Sequence, residues 1–98
     1  MTITKNQNGE NLVIALEGRL DTVTAPELEK TVNESVSGIT DLVFDISKIE
    51  YISSAGLRVL LAAQKIMNKQ GKMTVTGAND AIMEIFEVTG FVDLLNIK

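Results

Sequence analysis

Two adjacent serines, Ser53 and Ser54, lie between the apolar run Leu42-Val43-Phe44 and a segment in which Leu57, Leu60, Leu61, Gln64 and Met67 recur at three- and four-residue steps. The run, bounded by Thr40-Asp41, reads as a buried strand, and the recurring segment as a helix with one core face. A serine hydroxyl at such a junction can do two kinds of chemistry. It can accept a hydrogen bond from a free backbone N–H and cap the helix. It can also take a phosphate, because the unpaired N–H groups and the positive end of the helix dipole favour an anion there. Phosphorylation would add about −1.5 to −2 charges and three acceptor oxygens. A cap leaves the surface neutral, whereas a phosphate makes it anionic and weakens a docked partner through desolvation and repulsion. The residues alone leave both readings open.

Other side chains near this junction also carry two readings. Gly56 sits in the first helical turn, where glycine costs about 1 kcal/mol against alanine. It serves either a close helix–strand contact or room for a partner's backbone. Asp21 is either a solvated turn residue or a hydrogen-bonding partner of the serine loop or of a docked protein. Asp45, at a strand end, is expected to orient the next turn through its carboxylate. Asp41, Glu50, Glu27, Glu29 and Glu34 belong on wet faces.

The catalytic inventory is thin. The chain has no histidine and no cysteine, which removes the commonest general base, the commonest metal ligand, phosphohistidine, thiolate chemistry and disulfides. A serine nucleophile would need a base, and a Ser-Lys pair with Lys48 or Lys65 would have to be assembled by the fold. The glycines at 9, 18, 38, 56, 71, 77 and 90 stand singly, so no phosphate-cradling loop is present. No carboxylate cluster suggests a metal, and no cofactor is expected. The chain reads as a non-enzyme.

Composition narrows the partners. A net charge of −4, scattered lysines and arginines, three Phe and one Tyr argue against nucleic acid, which needs a basic stripe and stacking platforms. No run approaches the roughly 18 to 20 apolar residues that span a bilayer, so no direct membrane insertion is expected. Met1-Thr2-Ile3-Thr4-Lys5 lacks the apolar core of a secretion signal, so the expected location is the cytoplasm. At 98 residues, 45% apolar and 22% charged, residues 1–98 are expected to form one small domain with a single core.

The elements that must position the serines follow in order. Residues 2–7 have weak strand character, and Asn8-Gly9 is a hairpin-closing pair. Leu12-Val13-Ile14-Ala15-Leu16 reads as a central strand covered on both faces, with the first strand at the sheet edge. Thr24-Ala25-Pro26-Glu27 resembles a capping box, with Thr24 as N-cap and Glu27 reaching back, opening a helix to about residue 36 along Leu28, Val32 and Val36. A strand over 41–46 and a helix over about 54–69 follow, with Gly71 expected at the left-handed position after the helix. Lys72 to Thr76 alternates as a strand. Asn79 can cap a third helix carrying Ile82, Ile85, Phe86 and Thr89, and Gly90-Phe91 closes it. The tail 92–97 is apolar enough to dock as a short last strand.

The fold class is therefore α/β, order β-β-α-β-α-β-α: a mixed, mostly parallel sheet of four to five strands with an initial hairpin and covering helices. Working loops in such sheets lie at the carboxyl ends of the strands. The loops at 17–24 and 46–54 fall at the same end, so Asp21, Thr22, Thr24, Ser53 and Ser54 are expected to share one surface.

The stretch Asp45-Ile-Ser-Lys-Ile-Glu-Tyr-Ile-Ser-Ser-Ala-Gly-Leu-Arg-Val-Leu-Leu61 resembles the signature of STAS domains, specifically the stand-alone bacterial anti-sigma factor antagonists. Gly18-Arg19-Leu20-Asp21, Thr24-Ala25-Pro26-Glu27-Leu28 and Phe86-Glu87-Val88-Thr89-Gly90-Phe91 agree in order and spacing, so the likeness covers nearly the whole chain. The resemblance implies an antagonist that binds an anti-sigma factor serine/threonine kinase and frees the sigma factor. It implies phosphorylation of Ser54, the serine before Ala55-Gly56-Leu57, with Ser53 as second choice, and reversal by a metal-dependent serine phosphatase. The implied docking surface comprises Asp21, Thr22, Thr24, Ser53, Ser54, Ala55, Gly56, Leu57 and Arg58. Ser53 stands where the family often has Asp, which removes a carboxylate and adds a second hydroxyl. Some STAS domains instead serve, unphosphorylated, as scaffold subunits of membrane transport or stress-signalling assemblies. A chain with both ends at domain boundaries is expected to be the free antagonist, a monomer or at most a weak dimer.

Overall fold

The computed structural model describes residues 1–98. Its elements are β1 (Thr2–Asn8), β2 (Asn11–Leu20), α1 (Ala25–Ser35), β3 (Asp41–Ile52), α2 (Ser54–Asn68), β4 (Lys72–Thr76) and α3 (Asp80–Thr89), followed by one 3-10 turn, Phe91–Asp93. The sheet has four strands in the order β1-β2-β3-β4, with β1 antiparallel to β2 and the others parallel. β1 is an edge strand joined through a turn at Gly9, whose φ is 64°. The opposite edge is partly covered by the tail. There the expected last strand is reduced to a single parallel bridge between Val75 and Ile97, in which Val75 N–H donates to Asn96 O at 2.8 Å and Lys98 N–H to Val75 O at 2.9 Å.

Strand order advances in one direction from β2 to β3 to β4. Right-handed crossovers that step the same way lay their helices on the same face. β2 accordingly alternates, with Leu12, Ile14 and Leu16 buried and Val13 37% exposed. This corrects the expectation of a strand covered on both faces: Val13 and Ala15 interrupt a run of Leu and Ile without adding a second buried side. All 24 buried apolar residues form one cluster between the sheet and the helices, so the other sheet face is wet.

The strand read as 41–46 continues to Ile52. Along β3 the register moves from Ala15↔Asp45 to Glu17↔Lys48, and from Gly18↔Ile49 to Arg19↔Tyr51. At each step β3 spends one residue more than β2, which is a bulge. Buried positions therefore run 42, 44, 46 and then 49 and 52. The spacing lengthens from two to three at each bulge, and the period-two signal is lost.

Two helix boundaries also differ from expectation. Thr24 holds the N-cap position of α1 as expected, but its backbone is helical (φ −92°, ψ −20°) and its side chain makes no cap hydrogen bond. Gly71 does not adopt a left-handed conformation. A Cβ there would instead overlap the backbone carbonyl of Thr40, which accepts from Lys72 N–H at 2.9 Å, so glycine is required by close approach. Asn79 caps α3 as expected, its Oδ1 accepting from Ile82 N–H at 2.9 Å, and Gly90 (φ 80°) closes it. On α3, Ile82 and Phe86 are buried, Ile85 is half-buried and Thr89 is exposed.

Candidate functional site

The last paired residues of β2 and β3 are Leu20 and Ile52. Ser53 N–H donates to Leu20 O at 2.8 Å, so the chain segments leaving the two strands, 21–24 and 53 onward, start side by side. A Cβ on Gly56 would stand 2.6 Å from Leu20 Cγ and 3.0 Å from Leu20 O. Glycine at 56 thus serves a close helix–strand contact, which draws the start of α2 against the end of β2. The segments leading into α1 and α2 share one surface.

Ser53 takes the cap. Its backbone is extended (φ −94°, ψ 173°) and its Oγ accepts from Gly56 N–H at 3.3 Å. Ser54, the first residue of α2, is exposed and its hydroxyl makes no hydrogen bond within the chain. The backbone therefore assigns the two hydroxyls different tasks, which the residue types could not. Ala55 is half-buried and Arg58 exposed, whereas Gly56 and Leu57 are buried and support the surface from beneath.

The neighbouring segment, which leads into α1, is held by its own side chains. Asp21 Oδ1 accepts from Val23 N–H at 3.0 Å and Thr24 N–H at 3.1 Å. Thr24 Oγ1 accepts from Asp21 N–H at 2.9 Å and donates to Arg19 O at 2.8 Å. The Thr24 hydroxyl oxygen thus accepts from the Asp21 N–H rather than from the N–H of Glu27, and no capping box forms. Asp21 performs the turn-closing role instead, its own carbonyl accepting from Ala25 N–H at 2.8 Å. The Thr24 N–H holds the Asp21 carboxyl below its ordinary value of 3.8, helped by the Thr24 hydroxyl, the Val23 N–H and Arg19. Asp21 thus does not hydrogen-bond the serine segment. Asp45 closes its local turn as expected, Oδ1 accepting from Ser47 N–H at 3.0 Å, and that bond lowers its pKa.

Two features of this surface escaped sequence reading. Val23, between Thr22 and Thr24, is 85% exposed and puts an apolar side chain into solvent on the segment leading into α1. Arg19 lies 4.6 Å from the centroid of the Tyr51 ring and 3.7 Å from Asp21, forming a row across β2 and β3. The register Arg19↔Tyr51 that creates the row depends on the bulges, which carry no plain sequence signal. The three surface cavities are lined by residues outside 21–24 and 53–58.

The STAS domain model matches residues 2–98. The anti-sigma-B factor antagonist of Listeria monocytogenes is 30% identical over 97 residues, covering 96% of this chain and 84% of that protein. The crystal structure of an anti-sigma factor antagonist from Mycobacterium paratuberculosis superposes with a TM-score of 0.88 at 27% identity, covering 98% of this chain and 83% of that one. The Bacillus cell fate determinant SpoIIAA in its phosphorylated form shares the fold, with a TM-score of 0.77 at 14% identity over 99% of this chain and 91% of that one. No helix is long and apolar enough to cross a membrane. With the strand order, the adjoining helix starts and these likenesses in agreement, the chain belongs to the STAS domain family, within its group of anti-sigma factor antagonists.

Proposed function

We propose that this chain is a non-catalytic, cytoplasmic partner switch. Unphosphorylated, it docks the surface of Asp21, Thr22, Thr24 and residues 53–58 onto a kinase-type anti-sigma factor and so frees a sigma factor. The kinase transfers the γ-phosphoryl group of ATP to Ser54 Oγ; the hydroxyl proton leaves to a base on the kinase and ADP departs. The anionic product lets go, and a metal-dependent phosphatase hydrolyses the phosphoserine to reset the switch.

The observation that carries this reading is the division of labour between the two serines: Ser53 Oγ is engaged as the cap, and the Ser54 hydroxyl is exposed and bonded to nothing. A phosphate at the first residue of α2 lies where a helix start favours negative charge, so the interior need not rearrange. Val23 offers an exposed apolar side chain on the neighbouring segment, and a partner docked over residues 53–58 would have to desolvate any charge placed there. A phosphorylated form is known for SpoIIAA, which shares the fold.

Incubation with an anti-sigma factor kinase from the same genome and ATP is expected to add one phosphate, mapped to Ser54 by fragmentation mass spectrometry. In calorimetry, Ser54→Asp is expected to bind that kinase about tenfold more weakly or worse, with an unchanged melting temperature. An unmodified protein, or equal affinity of the two forms, would overturn the reading.

A further inference from the structure

We propose that Arg58 is the intramolecular partner of a phosphate on Ser54. The inference rests on Ser54 being the acceptor, and it says where the added charge goes. Ser54 opens α2 and Arg58 lies four residues on in an uninterrupted helix of 15 residues. Residues so spaced stand one above the other, with Cβ atoms about 5–6 Å apart. Helical Cα–Cβ bonds tilt toward the amino terminus, so a long side chain at 58 lies back over the turn that begins with Ser54.

Both residues are exposed, and Leu57 and Val59 on either side of Arg58 are buried, which keeps the guanidinium on the outer surface. The four ion pairs of the molecule use Arg19, Lys30, Lys48 and Lys72, and Arg58 belongs to none of them. On the neighbouring strand end and turn, Arg19 and Asp21 already face each other at 3.7 Å, so Arg19 has a carboxylate partner of its own. An acid placed four residues before a base is the favourable order on a helix. A guanidinium offers a planar fork of N–H donors that matches two phosphate oxygens at once. Phosphorylation therefore closes a clamp across the first turn of α2, folding the new charge onto the chain's own surface and tying Arg58 down.

The test installs phosphoserine at position 54 during translation, so no kinase is required, and follows the phosphate by 31P NMR during a pH titration. Arg58 favours the dianion, so the second phosphate pKa, ordinarily about 6, is expected to be lower in wild type than in Arg58→Gln by roughly 0.3–0.5 unit. Arg58→Lys is expected to retain part of that difference, and about 1 M NaCl to erase most of it. Phosphorylation should also raise the Tm of wild type by about 2–4 °C more than that of Arg58→Gln, each measured against its own unphosphorylated form. Equal phosphate pKa values and equal Tm increments in the two proteins would overturn the clamp. That result would leave partner switching standing, because the phosphate is supplied synthetically. A kinase that fails to modify Ser54 would sink the switch and leave the clamp measurable.

Discussion

The segments leading into α1 and α2 leave paired parallel strands at the same end of the sheet, yet they are built in opposite ways. The lead into α1 takes four residues, 21–24, and spends its polar side chains on itself: one carboxylate oxygen accepts two backbone N–H groups, and one hydroxyl joins both ends of the turn. The lead into α2 takes one residue, Ser53, with one long cap bond, and leaves the next hydroxyl unused. A fixed platform thus sits beside a chemically open one. A switch needs both, because a modified side chain changes recognition only if the ground around it holds still.

The contact that joins these segments gives the largest expected effect. Gly56→Val would drive side-chain carbons into Leu20, which is fully buried, and toward its carbonyl, only 3.0 Å from the position of a Cβ. Overpacking of this kind costs about 3 kcal/mol, so a Tm lower by more than about 10 °C is expected by calorimetry. An unchanged Tm would mean that the two helix starts are not held together through Gly56. Next comes Asp21→Ala, which strips two backbone N–H groups of their acceptor and should lower Tm more than any serine substitution. The loss carries a pH signature. Asp21 has a folded pKa below its unfolded value of 3.8, so its ionised form stabilises the fold fully above that value. The contribution declines as pH falls through 3.8 toward the folded pKa and is absent below both. The Tm gap between wild type and Asp21→Asn should therefore be widest near neutrality and close in acid; a gap constant with pH would refute the carboxylate's role.

The same contrast explains what the amino-acid sequence disclosed. Features fixed within a few residues were legible: Asn79 before α3, Gly90 after it, the Ser53-Ser54 junction, and the alternation of Lys72–Thr76. Features fixed by distant partners were not. The second half of β3 lost its period of two to bulges set by pairing with β2. The Thr24 hydroxyl was drawn from the expected cap bond by the N–H of Asp21 and the carbonyl of Arg19, and Gly71 answers to Thr40 across the fold. That the starts of α1 and α2 would meet was readable from topology, because both follow parallel strands. Which serine would cap was decided only by the extended backbone at Ser53.

A smaller effect belongs to the cap itself. Ser53→Ala removes the acceptor for Gly56 N–H, and a bond of 3.3 Å places the cost at the low end for caps, about 0.5 kcal/mol. Ser53→Asp should restore that stability, since a carboxylate caps at least as well and favours the helix dipole. Urea denaturation resolves the three proteins, and a drop for Ser53→Asp as large as for Ser53→Ala would show that the cap geometry is not what residue 53 provides.

The smallest expected effect is the most telling. Ser54→Ala removes a hydroxyl that is exposed and unbonded and installs a better helix former, so stability should stay within about 0.5 kcal/mol of wild type. Substitution at a helix start usually declares itself through a lost cap, and adjacent serines would then be interchangeable. A loss from Ser54→Ala equal to or greater than that from Ser53→Ala would mean that both hydroxyls serve the helix, and the open platform would be closed. Near-silence at 54 beside a measurable loss at 53 leaves Ser54 with no structural task. A side chain without one can be chemically modified while the backbone beneath it stays where Leu20, Gly56 and Ser53 hold it.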